Sequence, residues 1–380
     1  MSKPRILLFA DWFEPGFKAG GPIRSCVHFT WQMKDEYQLY IFTSDRDLNA
    51  SAPYATVELN KWISYTENVQ LFYCSPSLLS WKHIRAQITQ LKPDFVYLNS
   101  MFSRYFTIYP LLMAKRKVFS GKVILSPRGM LKDSALQFKS RKKNLFLSIF
   151  RSLNLHKLVH FHATDKTEQE DIRKVFGNNV KLSLAPNFPG VIPAYPGSIE
   201  KREGELAIIF VGRIHPVKNL DFLLTLLPQV KGAVSLTIAG SEEDSAYTDK
   251  CKAIIAGFPS TITIQFKGEV PPNELTGLLA RHHIFALPTL GENFGHAIFE
   301  ALVAGKPVVI SDQTPWRNLA AAKAGWDISL QNDVAFVTAI QQAVDVNQQQ
   351  YNEWSLAAWQ FVKQFVETAD LKSAYKKIFS

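Results

Sequence analysis

Two carboxylates stand in the run Gly291-Glu292-Asn293-Phe294-Gly295-His296-Ala297-Ile298-Phe299-Glu300-Ala301-Leu302-Val303-Ala304-Gly305-Lys306-Pro307. The pattern predicts a helix starting near Phe294 and stopping at Gly305, a residue suited to the left-handed position after a helix end, with Pro307 beyond it. The backbone N–H groups of Asn293 to His296 would then lie at the helix N-terminus, whose partial positive charge favours a phosphate or an electron-rich sugar. Glu292 precedes that terminus and Glu300 follows it by about two turns, so each carboxylate can accept hydrogen bonds from a different end of a bound polyol. An isolated pair of this kind reads first as a capping carboxylate beside a solvated one. The glycines, Phe294 and Pro307 around it argue for more.

A second constellation is Phe210-Val211-Gly212-Arg213-Ile214-His215-Pro216-Val217-Lys218-Asn219-Leu220, at the end of a strand-like run. A guanidinium fork at Arg213 and an ammonium at Lys218, converging on one strand end, suit the two phosphates of a nucleoside diphosphate. Without context they are as well read as two surface cations. Near the N-terminus, Lys18-Ala19-Gly20-Gly21-Pro22-Ile23-Arg24 also follows a strand-like run. Paired glycines there let a backbone approach a phosphate closely, although such pairs more often mark turns. Leu125-Ser126-Pro127-Arg128-Gly129 follows another, and places Arg128 to meet a phosphate or to make a structural salt bridge. His160 and His162 fall on one side of an apparent strand, and with no third ligand at suitable spacing they read as satisfied core or cleft histidines.

These residues need elements to position them. Short apolar runs rich in β-branched and aromatic residues cover 5–10, 38–43, 69–74, 95–99, 122–126 and 159–163, then 207–211, 235–239, 261–266, 284–288 and 307–311. Helix-like stretches separate them. Brief, doubly apolar runs suit buried parallel strands, so the order predicts two α/β units in succession. The Pro- and Gly-rich stretch from Pro186 to Gly197 reads as the linker between them. Trp354, Ala357, Ala358, Phe361 and Phe365 recur at helical spacing, and 369–379 reads as a last helix. Open parallel sheets bind ligands at the carboxyl ends of their strands, where all three cationic or glycine-rich segments and the acidic one lie. Two such sheets would face each other across a cleft.

The acidic run closely resembles the E-x7-E signature of the family-4 (group 1) retaining glycosyltransferases, and Gly212 to Lys218 resembles that family's G-R-x-x-x-x-K element. The resemblance extends over nearly the whole chain and implies the GT-B fold of two Rossmann-like domains facing across a cleft. It implies an acceptor-binding domain at 1–190, a nucleotide-sugar-binding domain at 191–360, and a C-terminal helix, 361–380, returning to the first domain. Arg213 and Lys218 would hold the donor diphosphate and stabilise it as a leaving group, Glu292 would grip the transferred sugar, and Glu300 the ribose. Gly212, Asn293, Phe294, Gly295 and His296 would line the donor, and Gly20 and Gly21 are similar to the glycine loop laid over its phosphates, with Arg24 beside them in the acceptor or phosphate region. Arg128 stands where relatives carry a histidine, a departure that puts in question how the step beside the transferred sugar is assisted here.

Retention without a metal or other cofactor follows from the resemblance: the leaving phosphate helps to deprotonate the acceptor hydroxyl, and the protein's cations take the charge. A lipid-linked saccharide for a surface polysaccharide or glycolipid is the acceptor class implied. The same architecture serves nucleotide-sugar epimerases and phosphorylases, and acceptor-dependent product formation separates a transferase from them, because an epimerase needs only the donor sugar.

Composition agrees with an ordinary globular chain: of 380 residues, 47% are apolar and 20% charged, which excludes fibrous and largely disordered classes. Three scattered cysteines, Cys26, Cys74 and Cys251, suggest buried thiols and neither a disulfide framework nor a zinc site. No run is long enough for a secretory or spanning helix, so a cytoplasmic protein is expected. The net charge of +10 is unevenly placed: residues 1–195 carry 27 Lys+Arg against 14 Asp+Glu, a net +13, and the remainder 16 against 19, a net −3. A basic half calls for an anionic partner, whether a phosphorylated substrate, nucleic acid or an acidic membrane face. No nucleic-acid signature is present, so a basic nucleic-acid-docking protein is disfavoured. The stretch Ser140-Arg141-Lys142-Lys143-Asn144-Leu145-Phe146-Leu147-Ser148-Ile149-Phe150-Arg151, after Lys132 and Lys139, reads as a basic helix that covers the core or rests peripherally on anionic lipid.

Overall fold

The computed structural model describes residues 3–137, 140–368 and 370–380; Lys139 and Ala369, both named above, lie outside the described residues. The chain forms two units, Met1–Phe188 with Asp370–Ser380, and Pro189–Ala369. In the first, the order is β1 (Arg5–Phe9), α1 (Gly21–Met33), β2 (Gln38–Ser44), β3 (Trp62–Thr66), β4 (Val69–Cys74), α2 (Trp81–Leu91), β5 (Phe95–Leu98), α3 (Tyr109–Lys115), β6 (Lys122–Leu125), α4 (Asp133–Gln137), α5 (Ser140–Ser152), β7 (Val159–Ala163), α6 (Lys166–Phe176) and β8 (Lys181–Leu184). The strands form one eight-stranded sheet in the order β3-β4-β2-β1-β5-β6-β7-β8. Only β3 is antiparallel, against β4.

The second unit runs β9 (Glu205–Val211), α7 (Leu220–Leu226), β10 (Ala233–Ala239), α8 (Ser245–Ile255), β11 (Ile262–Gly268), α9 (Pro272–Ala280), β12 (Ile284–Leu287), α10 (His296–Val303), β13 (Val308–Ser311), β14 (Gly325–Ile328), α11 (Asp333–Asp345) and α12 (Gln348–Thr368). Its six-stranded sheet has the order β11-β10-β9-β12-β13-β14, all parallel. Counted within the unit this is 3-2-1-4-5-6, the doubly wound Rossmann order. Both units are therefore the parallel α/β domains that the alternation of apolar runs predicts.

The strands at the sheet centres are buried on both faces, which is why they read as continuous apolar runs; β5 and β12 are buried at every position. β3, β8 and β14 escape sequence reading, and each is a sheet edge made mainly of half-buried or exposed residues. An edge strand has one neighbour and one wet side, so its sequence need not be apolar. Cys26, Cys74 and Cys251 are free and buried, and burial pushes their thiols up to about 11, 12 and 11. Among the described residues no helix is long and apolar enough to cross a membrane.

The expected division at residue 361 needs correction. α12 continues through that position to Thr368, because Phe361 and Phe365 pack against Trp316 of the second unit. What joins the first unit is the segment from Asp370, carrying α13 (Leu371–Ile378). Its Tyr375 stacks on Phe188 at 4.3 Å, and Phe379 lies 5.7 Å from Phe29, 5.5 Å from Phe95 and 5.4 Å from Tyr97. Phe379 is 4% exposed. Deleting a buried aromatic ring costs about 3–5 kcal/mol, so Phe379→Ala is expected to lower the denaturant midpoint of the first unit's unfolding by an amount worth roughly 3 kcal/mol. An unchanged midpoint would mean that the tail adds nothing to that core.

Candidate functional site

In the second unit β9 and β12 are neighbours in the sheet, although β10 and β11 lie between them in sequence. The chain departs from this pair in opposite directions, which opens a crevice at the carboxyl ends of the two strands. The cationic segment leaves β9 and the acidic segment leaves β12, so the topology brings the two distant motifs to one place.

Backbone bonds knit the two loops together. The Leu290 N–H donates to the Val217 carbonyl at 2.8 Å, and the Thr289 hydroxyl donates to the same oxygen at 3.0 Å. Ser311, at the end of β13, donates to the Thr289 carbonyl at 2.5 Å, and the Glu292 N–H donates to Gln313 O at 3.0 Å. On this frame the Lys218 ammonium makes an ion pair and hydrogen bond with the Glu292 carboxylate. The two side chains are 16% and 14% exposed, so water screens their attraction much less than it does that of a surface pair. The Lys218 stem lies over Gly212, whose missing Cβ would stand 3.6 Å from Lys218 Cγ.

Lys218 is aimed by a single 3₁₀ turn, Pro216–Lys218, capped by His215. The Val217 N–H donates to His215 Nδ1 at 3.2 Å, which requires that nitrogen to be unprotonated. Burial first, and then the Arg213 charge, hold the His215 pKa below its ordinary value, in keeping with a neutral ring. Arg213 takes a different partner: its guanidinium donates to Glu243 Oε2 at 2.7 Å and is 45% exposed. Glu243 belongs to the acidic run after β10, so the structure sets the two cations on separate carboxylates rather than on one.

The helix after Glu292 starts later than expected. α10 begins at His296, with Gly295 as its N-cap at φ 76°, a conformation open mainly to glycine. A Cβ at Gly295 would also meet Ile298 Cδ1 at 2.9 Å. Phe294 is not in the helix and is a core side chain, 4% exposed, packed on Trp316 at 5.5 Å while its carbonyl accepts from Trp316 Nε1 at 2.5 Å. The N–H groups of the helix head are thus those from His296 onward rather than from Asn293. The stop falls at Gly305 as expected: Lys306 N–H donates to Ala301 O and Gly305 N–H to Leu302 O, both at 2.9 Å, the paired bonds of a Schellman end. Asn293, His296 and Glu300 are partly exposed, the last two on α10 itself.

In the first unit, Gly20 caps α1 at φ 65° and Gly21 opens it. The Phe17 and Lys18 N–H groups before them donate to Asp47 Oδ2 at 2.8 and 3.1 Å, which fixes the loop. Arg24, a half-buried residue on α1, helps to lower the pKa of Glu14, which burial raises. Arg128 has a left-handed backbone at φ 54°, and its guanidinium is spent within the unit. It donates to Asn99 Oδ1 at 2.6 and 3.2 Å, to Asn187 Oδ1, and to the Tyr97 hydroxyl at 2.8 Å. Tyr97 in turn donates to His162 Nδ1 at 2.8 Å, and His162 Nε2 donates to the Ala185 carbonyl at 2.8 Å. Burial, then the Arg128 charge, lowers the His162 pKa to about 3, so the ring stays neutral. Burial also disfavours the Arg128 charge, but Tyr97, Tyr375, Cys26 and Glu168 outweigh it and hold its pKa above the ordinary arginine value. Among the described residues the Arg128 guanidinium is thus held by neutral oxygens, and no carboxylate pairs with it directly. His160 donates to or accepts from Ser183 Oγ at 2.8 Å, so both strand histidines are satisfied side chains.

Sequence reading missed Glu243, Thr289, Ser311 and Trp316. Glu243 could have been found by its place after a strand. Thr289, Ser311 and Trp316 are buried supports whose side chains carry no chemical signal.

A model of the family described as glycosyl transferases group 1 matches residues 191–360. The phosphatidyl-myo-inositol mannosyltransferase of Mycobacterium leprae is 30% identical over 149 residues, 38% of this chain and 36% of that protein. The chain's match spans between 29% and 36% of the length of the first curated relatives. Two solved structures are similar over nearly their whole length: Anabaena HepE in complex with UDP and glucose, at a TM-score of 0.68, 14% identity and coverage of 99% of this chain and 98% of that one; and WaaG, a glycosyltransferase involved in lipopolysaccharide biosynthesis, at 0.65, 14%, 99% and 98%. Residues 191–360 thus match the group 1 glycosyltransferases, and the two parallel-sheet domains have the GT-B fold of these structures.

Proposed function

We propose that the protein is a retaining hexosyltransferase that moves a sugar from a nucleoside-diphosphate donor, bound by the second unit, to an acceptor hydroxyl bound by the basic first unit. The observation that carries this reading is the Lys218–Glu292 pair at the switch point between β9 and β12. An ammonium suits the diphosphate and a carboxylate suits sugar hydroxyls. A donor seated on both would lie with Lys218 on its leaving group and Glu292 on its transferred sugar, so the pair would straddle the bond that breaks.

In the free protein each charge neutralises the other, and donor binding exchanges one ion pair for two sets of ligand bonds. As the bond from anomeric carbon to phosphate oxygen breaks, negative charge grows on the diphosphate. Lys218, Arg213 once drawn from Glu243, and the N–H groups at the head of α10 would oppose that charge more strongly in the transition state than in the ground state. The acceptor oxygen forms its bond on the face the phosphate leaves, and its proton passes to the departing phosphate oxygen. A carboxylate tied to Lys218 is a poor nucleophile, which supports this route over a covalent enzyme intermediate. Glu300, on α10, is assigned to the ribose. Because protein cations take the charge, the reaction requires no divalent metal. The names of the M. leprae relative and of WaaG support a glycolipid or surface-polysaccharide acceptor.

Glu292→Gln is expected to lower turnover by about 10²-fold. Its affinity for the nucleoside diphosphate, read by calorimetry, should stay within about threefold or tighten, because Glu292 competes with phosphate for Lys218. Lys218→Ala should instead weaken nucleoside-diphosphate binding by about 10- to 100-fold, the loss of one charge-assisted hydrogen bond. Equal losses of binding in both variants would contradict the division of roles. Turnover measured with excess EDTA should match the untreated rate, and an activity that EDTA abolishes and Mg²⁺ restores would overturn the metal-free route.

A further inference from the structure

Helix α5 has two unlike faces. Inward, Leu147 and Phe150 are 3% and 1% exposed, Phe146 packs on Phe102 at 5.3 Å, and Lys143 donates to the Ala135 carbonyl at 2.6 Å. Outward, Leu145 is 63% and Ile149 49% exposed, one helical turn apart and therefore adjacent on the surface. At 100° per residue Arg141 and Lys142 fall on the two sides of this aliphatic pair, whereas Arg151 falls well away from it and donates to the Val175 carbonyl at 3.3 Å. All three cations are exposed.

The surroundings continue the charge. From Asp133 to Asp165 the chain has no acidic residue between those two, yet it holds Arg141, Lys142, Lys143, Arg151 and Lys157. Lys115 of α3 donates to the Leu153 carbonyl at 3.0 Å, which brings the Lys115-Arg116-Lys117 corner to the end of α5. Leu158, just beyond, is 42% exposed.

A soluble polyanion would neutralise the cations and leave Leu145 and Ile149 in water. A second copy of this face would cover the aliphatic pair and set cation against cation. An anionic lipid surface satisfies both, with phosphates for the basic rim and an apolar layer just beneath. We propose that α5 is a membrane-seating helix, with Leu145 and Ile149 entering the boundary between headgroups and acyl chains and Arg141 and Lys142 resting on anionic headgroups. This is independent of the sugar-transfer reading, since it concerns a helix of the first unit and needs no substrate.

The test is flotation of the full chain with vesicles of phosphatidylcholine alone or mixed with phosphatidylglycerol. Binding to the mixed vesicles only is expected, weakening as salt shortens the reach of the charges. Leu145→Ser with Ile149→Ser should lower the partition coefficient by about tenfold with an unchanged melting temperature, since both sites are exposed. Arg141→Gln with Lys142→Gln should remove most of the salt dependence. Failure to float with mixed vesicles at low salt would overturn the proposal, as would equal flotation of wild type and the Leu145/Ile149 variant. Binding of RNA that the aliphatic substitutions leave intact, with no vesicle binding, would assign the face to a polyanion; a dimer lost on those substitutions, again without vesicle binding, would assign it to a second copy.

Discussion

The second unit is organised around one electrostatic constraint: an ammonium and a carboxylate, from segments far apart in sequence, held mostly out of water at the meeting of β9 and β12. Charges this poorly hydrated are costly unless paired, and the pairing is possible only because the sheet order makes those two strands neighbours. The 3₁₀ turn capped by His215, the bonds of Thr289 and Leu290 to Val217, and the seat of Ser311 under Thr289 all serve to hold the two backbones in register. Trp316 does the same from below by fixing Phe294 and so the head of α10. A site assembled in this way presents opposite charges side by side to any ligand that offers both a phosphate and hydroxyl groups.

The first unit also buries charge, and handles it differently. Glu168 is fully buried and accepts from the Gly129 N–H at 2.6 Å, the Thr164 N–H at 2.8 Å and the Thr164 hydroxyl at 2.7 Å. Arg128, next to Gly129 in the chain, is wrapped by two asparagine carbonyls and a phenol. Each charge is solvated by neutral dipoles, and the two attract each other without touching as a salt bridge. The left-handed turn at Arg128 and Gly129 is thereby pinned from both sides. A histidine, shorter and neutral, could not fill that set of partners, so the departure at this position has a structural reason of its own.

What the sequence disclosed and what it hid follow one physical line. Strands buried on both faces are apolar along their length and were legible, while β3, β8 and β14 lie at edges where one wet side relaxes the pattern. Lys218 and Glu292 were legible because chemistry demands those side chains at strand ends. Their direct contact was not, since it depends on a sheet order that no local pattern specifies. The start of α10 was misplaced by two residues because Phe294 looks like the first apolar position of the helix, whereas its carbonyl belongs to Trp316. The fate of Arg128 was hidden for the same reason: its partners come from two segments far apart in sequence, Tyr97 and Asn99 at the end of β5 and Asn187 beyond β8.

The first unit is interrupted: it leaves off at Phe188 and is finished by Asp370–Ser380. On the ribosome the intervening unit has all its strands and helices before the aromatic nest of Phe29, Tyr97 and Phe188 receives Tyr375 and Phe379. The portion made first is thus the portion completed last. Until Tyr375 and Phe379 have been made, its nascent surface keeps a greasy socket open, the period in which a chaperone would have most reason to attend it.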